Sequence, residues 1–206
     1  MRNLDARFAF ATVPTSASIH LLAISGSLRR TSSNTALLRA LATLVPENVS
    51  VEVFDGLSTL PHFNPDDDID PPPSSVADFR ARVACADGLI ISSPEYAHGI
   101  PGSLKNALDW LVSSFEIIEK PIALVDAAEG TGFVRPSLVE TLRVMSTRLV
   151  ENAFVSVPLR GKKPPEIAAL AASGETACRL RAAMQNFVEA IVARRSQAPA
   201  AKAISD

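Results

Sequence analysis

Short apolar runs alternate along the chain with longer stretches in which apolar residues recur every third or fourth position. The short runs are IHLLAIS from Ile19, VSVEVF from Val49, GLIISS from Gly88, PIALVD from Pro121 and NAFVSV from Asn152. They are apolar nearly throughout, as strands are when helices cover both faces of a sheet. Between them lie stripes with the spacing of one helix face: Leu37, Leu38, Leu41 and Val45, then Val76, Phe79 and Val83, then Leu104, Leu108, Leu111 and Phe115. Two more follow, Leu138, Leu142, Met145 and Leu149, and finally Leu180, Met184, Phe187 and Ile191.

Strict strand-helix alternation joined by right-handed crossovers predicts an α/β chain with an open parallel sheet. Five strands favour the flavodoxin-like three-layer sandwich, a five-stranded parallel sheet of order 2-1-3-4-5 with helices on both faces. In that order a ligand sits beyond the carboxyl ends of the strands, at the switch between the first and third. Two regions depart from the alternation: PHFNPDDDIDPPPSS, a long loop, and SQAPAAKAISD, a polar tail. The expected organisation is therefore an N-terminal extension over 1–18, one domain over 19–195 and a disordered tail over 196–206. RFAFATVPTSA superficially resembles a signal peptide, but Asp5 and Arg7 interrupt it and its apolar run is short.

A chain of 206 residues, 47% of them hydrophobic, suits a single core. Its net charge of −2, with both signs interspersed, provides no field to hold nucleic acid or an anionic membrane. Cys85 and Cys178 lack metal or redox spacing and are expected as buried thiols, and the protein as soluble and cytoplasmic. An EF-hand counted from Asp66 would need glycine at Pro71 and glutamate at Ala77, so the run Asp66, Asp67, Asp68 and Asp70 reads as a solvated loop with no metal.

Chemistry concentrates in two loops. SGSLRRTSSN, Ser25 to Asn34, offers Ser27, Thr31, Ser32, Ser33, Asn34 and backbone donors at the start of the first helix. It suits a phosphomonoester, having neither a nucleotide P-loop ending nor three dinucleotide-binding glycines. The same residues equally suit a plain helix cap by Ser32 or Ser33. PEYAHGIPG, Pro94 to Gly102, follows the third strand and so reaches the same crevice, with Tyr96 as an aromatic face and Gly99 and Gly102 permitting close backbone approach. A flat heteroaromatic ring would suit this loop.

With GSLRRTSSN after the first strand and PEYAHGIPGSLKNALDWL after the third, the chain resembles the NADPH-dependent FMN reductase family, whose relatives include quinone, chromate and azo-dye reductases. The resemblance extends from about Ile19 to Val192. It implies FMN as cofactor and NADPH or NADH as co-substrate. It places the FMN phosphate on Ser27, Arg29, Ser32 and Asn34, with Ser33 beside them, and the isoalloxazine on Pro94, Glu95, Tyr96, Ala97 and His98. It also implies a homodimer or homotetramer. Ala97 stands where the family commonly has Asn, so a side-chain hydrogen bond is expected to be missing. The loop after the fourth strand, DAAEGTGFVR, is less glycine-rich than is usual, and the backbone of Glu129, Gly130, Thr131 and Gly132 is expected to face the ring's pyrimidine edge.

These readings converge on an NAD(P)H oxidoreductase that passes hydride through FMN to a flavin, quinone or similar small acceptor in a ping-pong cycle. The flavin carries the chemistry, so no side chain is assigned a catalytic role. Glu95, His98, Lys105 and Asp109 are read as supports. The alternative is a flavodoxin-like electron carrier that does not oxidise nicotinamide directly. A serine hydrolase using Ser27 or Ser103 ranks last, because no G-x-S-x-G elbow occurs. The helix after the second loop is expected to run on through Trp110, Val112 and Phe115 to Ile117 and Ile118, presenting an apolar surplus with Trp110 in a subunit interface.

Overall fold

The computed structural model describes residues 18–128 and 132–197. Of the expected extension over 1–18 and tail over 196–206, residues 1–17 and 198–206 lie outside the described residues, as do Glu129, Gly130 and Thr131, while Ser196 and Gln197 end the last helix. The sheet is parallel throughout, built from β1 (Ile19–Ser25), β2 (Val49–Phe54), β3 (Gly88–Ser92), β4 (Pro121–Asp126) and β5 (Arg148–Leu149) in the order β2-β1-β3-β4-β5. β1 pairs with both β2 and β3, so the order reverses between β1 and β3, as the alternation predicts.

The fifth strand differs from its expectation. It is divided: β5 pairs with Pro121 and Ile122 of β4, while β6 (Val155–Ser156) pairs with Val125 and Asp126. A 3-10 turn over Glu151–Ala153 separates the two halves. Leu149, read as the end of a helical stripe, belongs to β5 because its helix stops earlier. That helix is α4 (Val134–Val144), closed by Ser146 at φ 57°, with Ser146 N–H donating to the Arg143 carbonyl and Thr147 N–H to the Leu142 carbonyl. This is the paired hydrogen-bond pattern of a left-handed helix stop.

Helices α1 (Ser33–Leu41), α5 (Pro164–Ala172) and α6 (Gly174–Gln197) cover one face of the sheet. Leu37, Leu38, Leu180, Met184 and Phe187 there pack with Ile90 and Ala123. Helices α2 (Ser74–Cys85), α3 (Gly102–Val112) and α4 cover the other face, where Phe79, Leu104, Trp110 and Leu138 pack with Leu22 and Leu89. Each fully buried Leu or Phe contributes about 1.5–3 kcal/mol, so the two covers fix the sheet and its carboxyl edge. The stripe readings did not include α5. Its start carries a legible signal, prolines at the first positions and the Glu166 carboxylate accepting Lys163 N–H at 2.8 Å.

Three further expectations are corrected. Trp110 is 0% exposed within its own subunit, donates Nε1–H to the Pro61 carbonyl at 2.8 Å and meets Phe63 edge-on at 5.0 Å. It anchors the long loop rather than an interface, and α3 ends at Val112 before a separate turn over Phe115–Ile117. That loop is not purely solvated: Asp68 accepts Arg80 Nη2 at 2.9 Å and the Ser113 hydroxyl, and the Ser113 bond, with Arg80, holds its pKa below the usual carboxylate value against the effect of burial. Cys85 is exposed at the last position of α2, and Cys178 is half-buried. No described helix is long and apolar enough to cross a membrane.

Candidate functional site

At the end of β1 the chain must turn steeply. Gly26 N–H donates to the Ser92 carbonyl at 2.8 Å, and a Cβ on Gly26 would lie 3.0 Å from Leu104 and 3.1 Å from Ser93 Oγ, so glycine lets the two loops come together. Ser32 is the N-cap of α1, its hydroxyl accepting Thr35 N–H at 3.3 Å, and Thr35 Oγ1 donates to Ser25 Oγ at 2.8 Å. Helix geometry leaves the Ser33 and Asn34 N–H groups without intrahelical acceptors, and both residues line a cavity. The buried Asn34 accepts the Ser92 hydroxyl at 2.9 Å, tying α1 to β3.

After β3, residues Tyr96 to Gly99 form a two-residue reverse turn: Tyr96 N–H donates to the Gly99 carbonyl at 3.2 Å and Gly99 N–H returns to Tyr96 at 3.0 Å. Both central residues are left-handed, Ala97 at φ 47° and His98 at φ 59°. Ordinary side chains reach this region at a cost of roughly 1–2 kcal/mol, and Asn is among those that tolerate it best. Asn at position 97 would suit this backbone better than the Ala present. Ala97 therefore carries strain, apart from any hydrogen bond an Asn would make.

Two long-range ties hold this turn. Glu95 Oε2 accepts Phe133 N–H at 2.8 Å and Val134 N–H at 3.1 Å, capping α4 from outside its own chain segment. The Val134 bond, then the Phe133 bond, lowers the Glu95 pKa from the ordinary carboxylate value. The His98 ring stacks on Phe133 at 4.2 Å between centroids. Gly132 completes the tie, because a Cβ there would lie 2.9 Å from Glu95 Oε2. Lys105 and Asp109 pair with each other along α3, away from this network.

The cavity measures about 420 Å³ and opens beyond the carboxyl ends of the strands. Among the sequence-predicted residues it brings together Ser33, Asn34, Pro94, Glu95 and Gly132. Ser27 and Arg29 line a neighbouring cleft beside Asp55, and Ser32 faces a groove between α1 and α5. Tyr96, Ala97 and His98 are exposed on the turn without lining the cavity, Tyr96 at 54%. Glu129, Gly130 and Thr131 lie outside the described residues.

Residues not singled out by sequence complete the walls. Asp126 closes β4 and hydrogen-bonds Arg135 Nε at 2.7 Å; burial raises its pKa while the Arg135 guanidinium opposes that rise. Arg160 reaches the rim because Val157 N–H donates to the Asp126 carbonyl at 2.8 Å and Leu159 N–H to that of Ala127, carrying the sheet edge past β6. Asp126 was visible as the acid ending an apolar strand, whereas nothing local marked Arg160. Among the described residues no group of three or more His, Cys, Asp or Glu is placed to hold a metal. The arrangement fits a long ligand with an anionic end at the start of α1 and a flat body between Pro94 and Gly132, with Arg160 also lining the cavity. FMN has that form.

Known proteins resemble the chain in sequence and in fold. A probable NADPH:quinone oxidoreductase 2 from Oryza sativa subsp. japonica is 41% identical over 118 residues, 55% of this chain and 58% of its own length. An NAD(P)H-dependent FMN reductase from Pseudomonas aeruginosa is 40% identical over 114 residues, 54% of this chain and 61% of its own length. The matched stretch thus spans about 60% of those two relatives. Among solved structures, the flavoenzyme NAD(P)H:(acceptor) oxidoreductase FerB from Paracoccus denitrificans shares the fold, with a TM-score of 0.67 at 24% identity over 85% of this chain and 98% of that one. Residues 19–161, which carry both loops and the strands that place them, match the NADPH-dependent FMN reductase family, and the chain belongs to that family.

Proposed function

We propose that the protein is an FMN-dependent NAD(P)H oxidoreductase that reduces a flavin, quinone or similar small acceptor in two half-reactions, the acceptor following nicotinamide at the same open face. The observation that carries this reading is the cavity at the β1–β3 switch, lined by the first residues of α1 and by the Pro94–Glu95 segment tethered to α4. When bound, FMN supplies a ring that takes up and releases hydride. Ser33 and Asn34 hold and orient the phosphate at the cavity, while Ser32 caps the helix behind them and Ser27 and Arg29 shape the adjoining loop. Pro94, Glu95, Tyr96, Ala97 and His98, with the Glu129, Gly130, Thr131 and Gly132 backbone, position the ring. Glu95 acts through the α4 cap, and none of these groups needs to move a proton. A single compact anion site favours FMN over FAD.

Exposed Val112 (64%), Phe115 (86%) and Ile118 (45%) at the end of α3 support a homodimer or homotetramer formed on this face. Phe115→Asp then lowers the mass in light scattering. Two cysteines free of disulfides suit a reducing cytoplasm. The test of function is anaerobic mixing of flavin-loaded protein with NADPH or NADH. Rapid bleaching of the oxidised-flavin absorbance, reversed by a quinone, is the expected result. A bound flavin that neither nicotinamide reduces would contradict the reading and favour an electron carrier.

A further inference from the structure

The cavity floor holds an acid that neither loop motif accounts for. Asp126 is 6% exposed, and its Oδ2 takes both Arg135 Nε, at 2.7 Å, and Arg135 Nη2. Arg135 is itself fixed by donating Nη2–H to Ser156 Oγ at 2.7 Å. Among the described residues no donor reaches Oδ1, and Asp126 is one of the residues lining the cavity. A buried pair of this kind is a poor source of stability, since apolar replacements of similar volume often do as well. Its retained acceptor instead calls for a ligand N–H or O–H.

The sheet order indicates which donor. Asp126 ends β4, two strands from β1, whose loop forms the anionic end of the cavity, and two strand spacings amount to about 10 Å. That span carries a ligand anchored by its phosphate past the ribityl chain and onto the ring. We propose that Asp126, held by Arg135, accepts the imide N–H of the flavin ring and so selects its pyrimidine edge. The guanidinium behind the carboxylate lets the pair present an acceptor without a net negative charge, which suits a ring that gains electrons. This inference rests on the reading of the cavity as an FMN site.

The test titrates flavin-stripped protein with FMN and with 3-methyl-FMN, whose imide nitrogen carries no hydrogen, following quenching of flavin fluorescence. Wild-type protein should bind 3-methyl-FMN at least about tenfold more weakly, the loss expected for one hydrogen bond to a charged group. Asp126→Asn, which keeps the bulk while turning an amide N–H toward the ring, should weaken FMN by a similar factor and narrow the gap between the two flavins. Asp126→Ala should close it. Equal wild-type affinity for the two flavins overturns the proposal and leaves the FMN reading standing. An unchanged gap in Asp126→Asn with FMN affinity intact assigns the contact to bulk alone and also overturns it. Equal weakening of both flavins in Asp126→Ala assigns the carboxylate to a ribityl hydroxyl and does the same. Failure of wild-type protein to bind FMN at all overturns the proposal and the functional reading together.

Discussion

The loop after β1 is fixed by bonds among its own residues and by two ties to the neighbouring strand, Gly26 N–H to the Ser92 carbonyl and the Ser92 hydroxyl to Asn34. Ser32 caps its own helix, and Thr35 reaches back to Ser25. The loop after β3 is held from a distance, with Glu95 and His98 reaching Phe133 and Val134 more than thirty positions away. Its tip, Ala97 and His98, occupies left-handed backbone that glycine or asparagine would adopt more cheaply. One loop is shaped by its own residues and by the strand beside it. The other is strained locally and held by the N-terminus of α4, so anything that moves α4 moves the proposed ring site.

This difference predicts opposite or separable effects for substitutions in the two loops. The largest is expected at Asn34. Asn34→Ala leaves the Ser92 hydroxyl, which is 0% exposed, without its acceptor and should cost about 1–3 kcal/mol in urea denaturation. A midpoint unchanged from wild type would show that the β1 loop does not depend on that bond. Ser32→Ala removes the α1 cap and should cost about 1 kcal/mol.

The second loop should respond in the other direction at its tip. Ala97→Gly relieves a left-handed residue and should stabilise the protein by about 1 kcal/mol in the same assay, with Ala97→Asn close behind. Destabilisation by both would mean that the turn is not strained as described. His98→Ala loses the stack on Phe133 and should cost about 0.5–1.5 kcal/mol, with flavin retention falling alongside stability.

The smallest change at neutral pH is expected for Glu95→Gln, which keeps an acceptor oxygen for Phe133 and Val134. Its signature is pH dependence. The Glu95 pKa is lowered in the folded protein, so its contribution is fully present above the ordinary value of 4.5 and is lost as pH falls through the lower folded value. Thermal midpoints recorded down that window should fall more steeply for wild type than for Glu95→Gln. Parallel curves would remove the charged cap from the account.

The same contrast explains what could be read from the sequence. The strands β1, β3 and β4, the faces of α1, α2 and α6, and the Ser32 cap follow from periodicity and local residue chemistry, and they are where the sequence puts them. β2 is buried only at Val49 and Phe54, with Ser50 exposed and Val51, Glu52 and Val53 half-buried, as on an edge strand, although it was grouped with strands apolar nearly throughout. The divided fifth strand was not legible, because Ser146 ends α4 in a left-handed turn that no glycine announces. Trp110 was misplaced because a stripe of apolar residues gives no sign that the Pro61 loop folds over it. Arg160 and the Asp126–Arg135 pair depend on the register of the sheet edge, which is a tertiary fact.

The central claim is that the cavity at the β1–β3 switch takes FMN, with its phosphate at the start of α1. Calorimetric titration of flavin-stripped protein with FMN, FAD and riboflavin tests it most directly. The account predicts one FMN per chain, with FAD and the phosphate-free riboflavin both bound more weakly. Riboflavin binding as tightly as FMN would contradict the phosphate site, and FAD binding as tightly would contradict the single compact anion pocket.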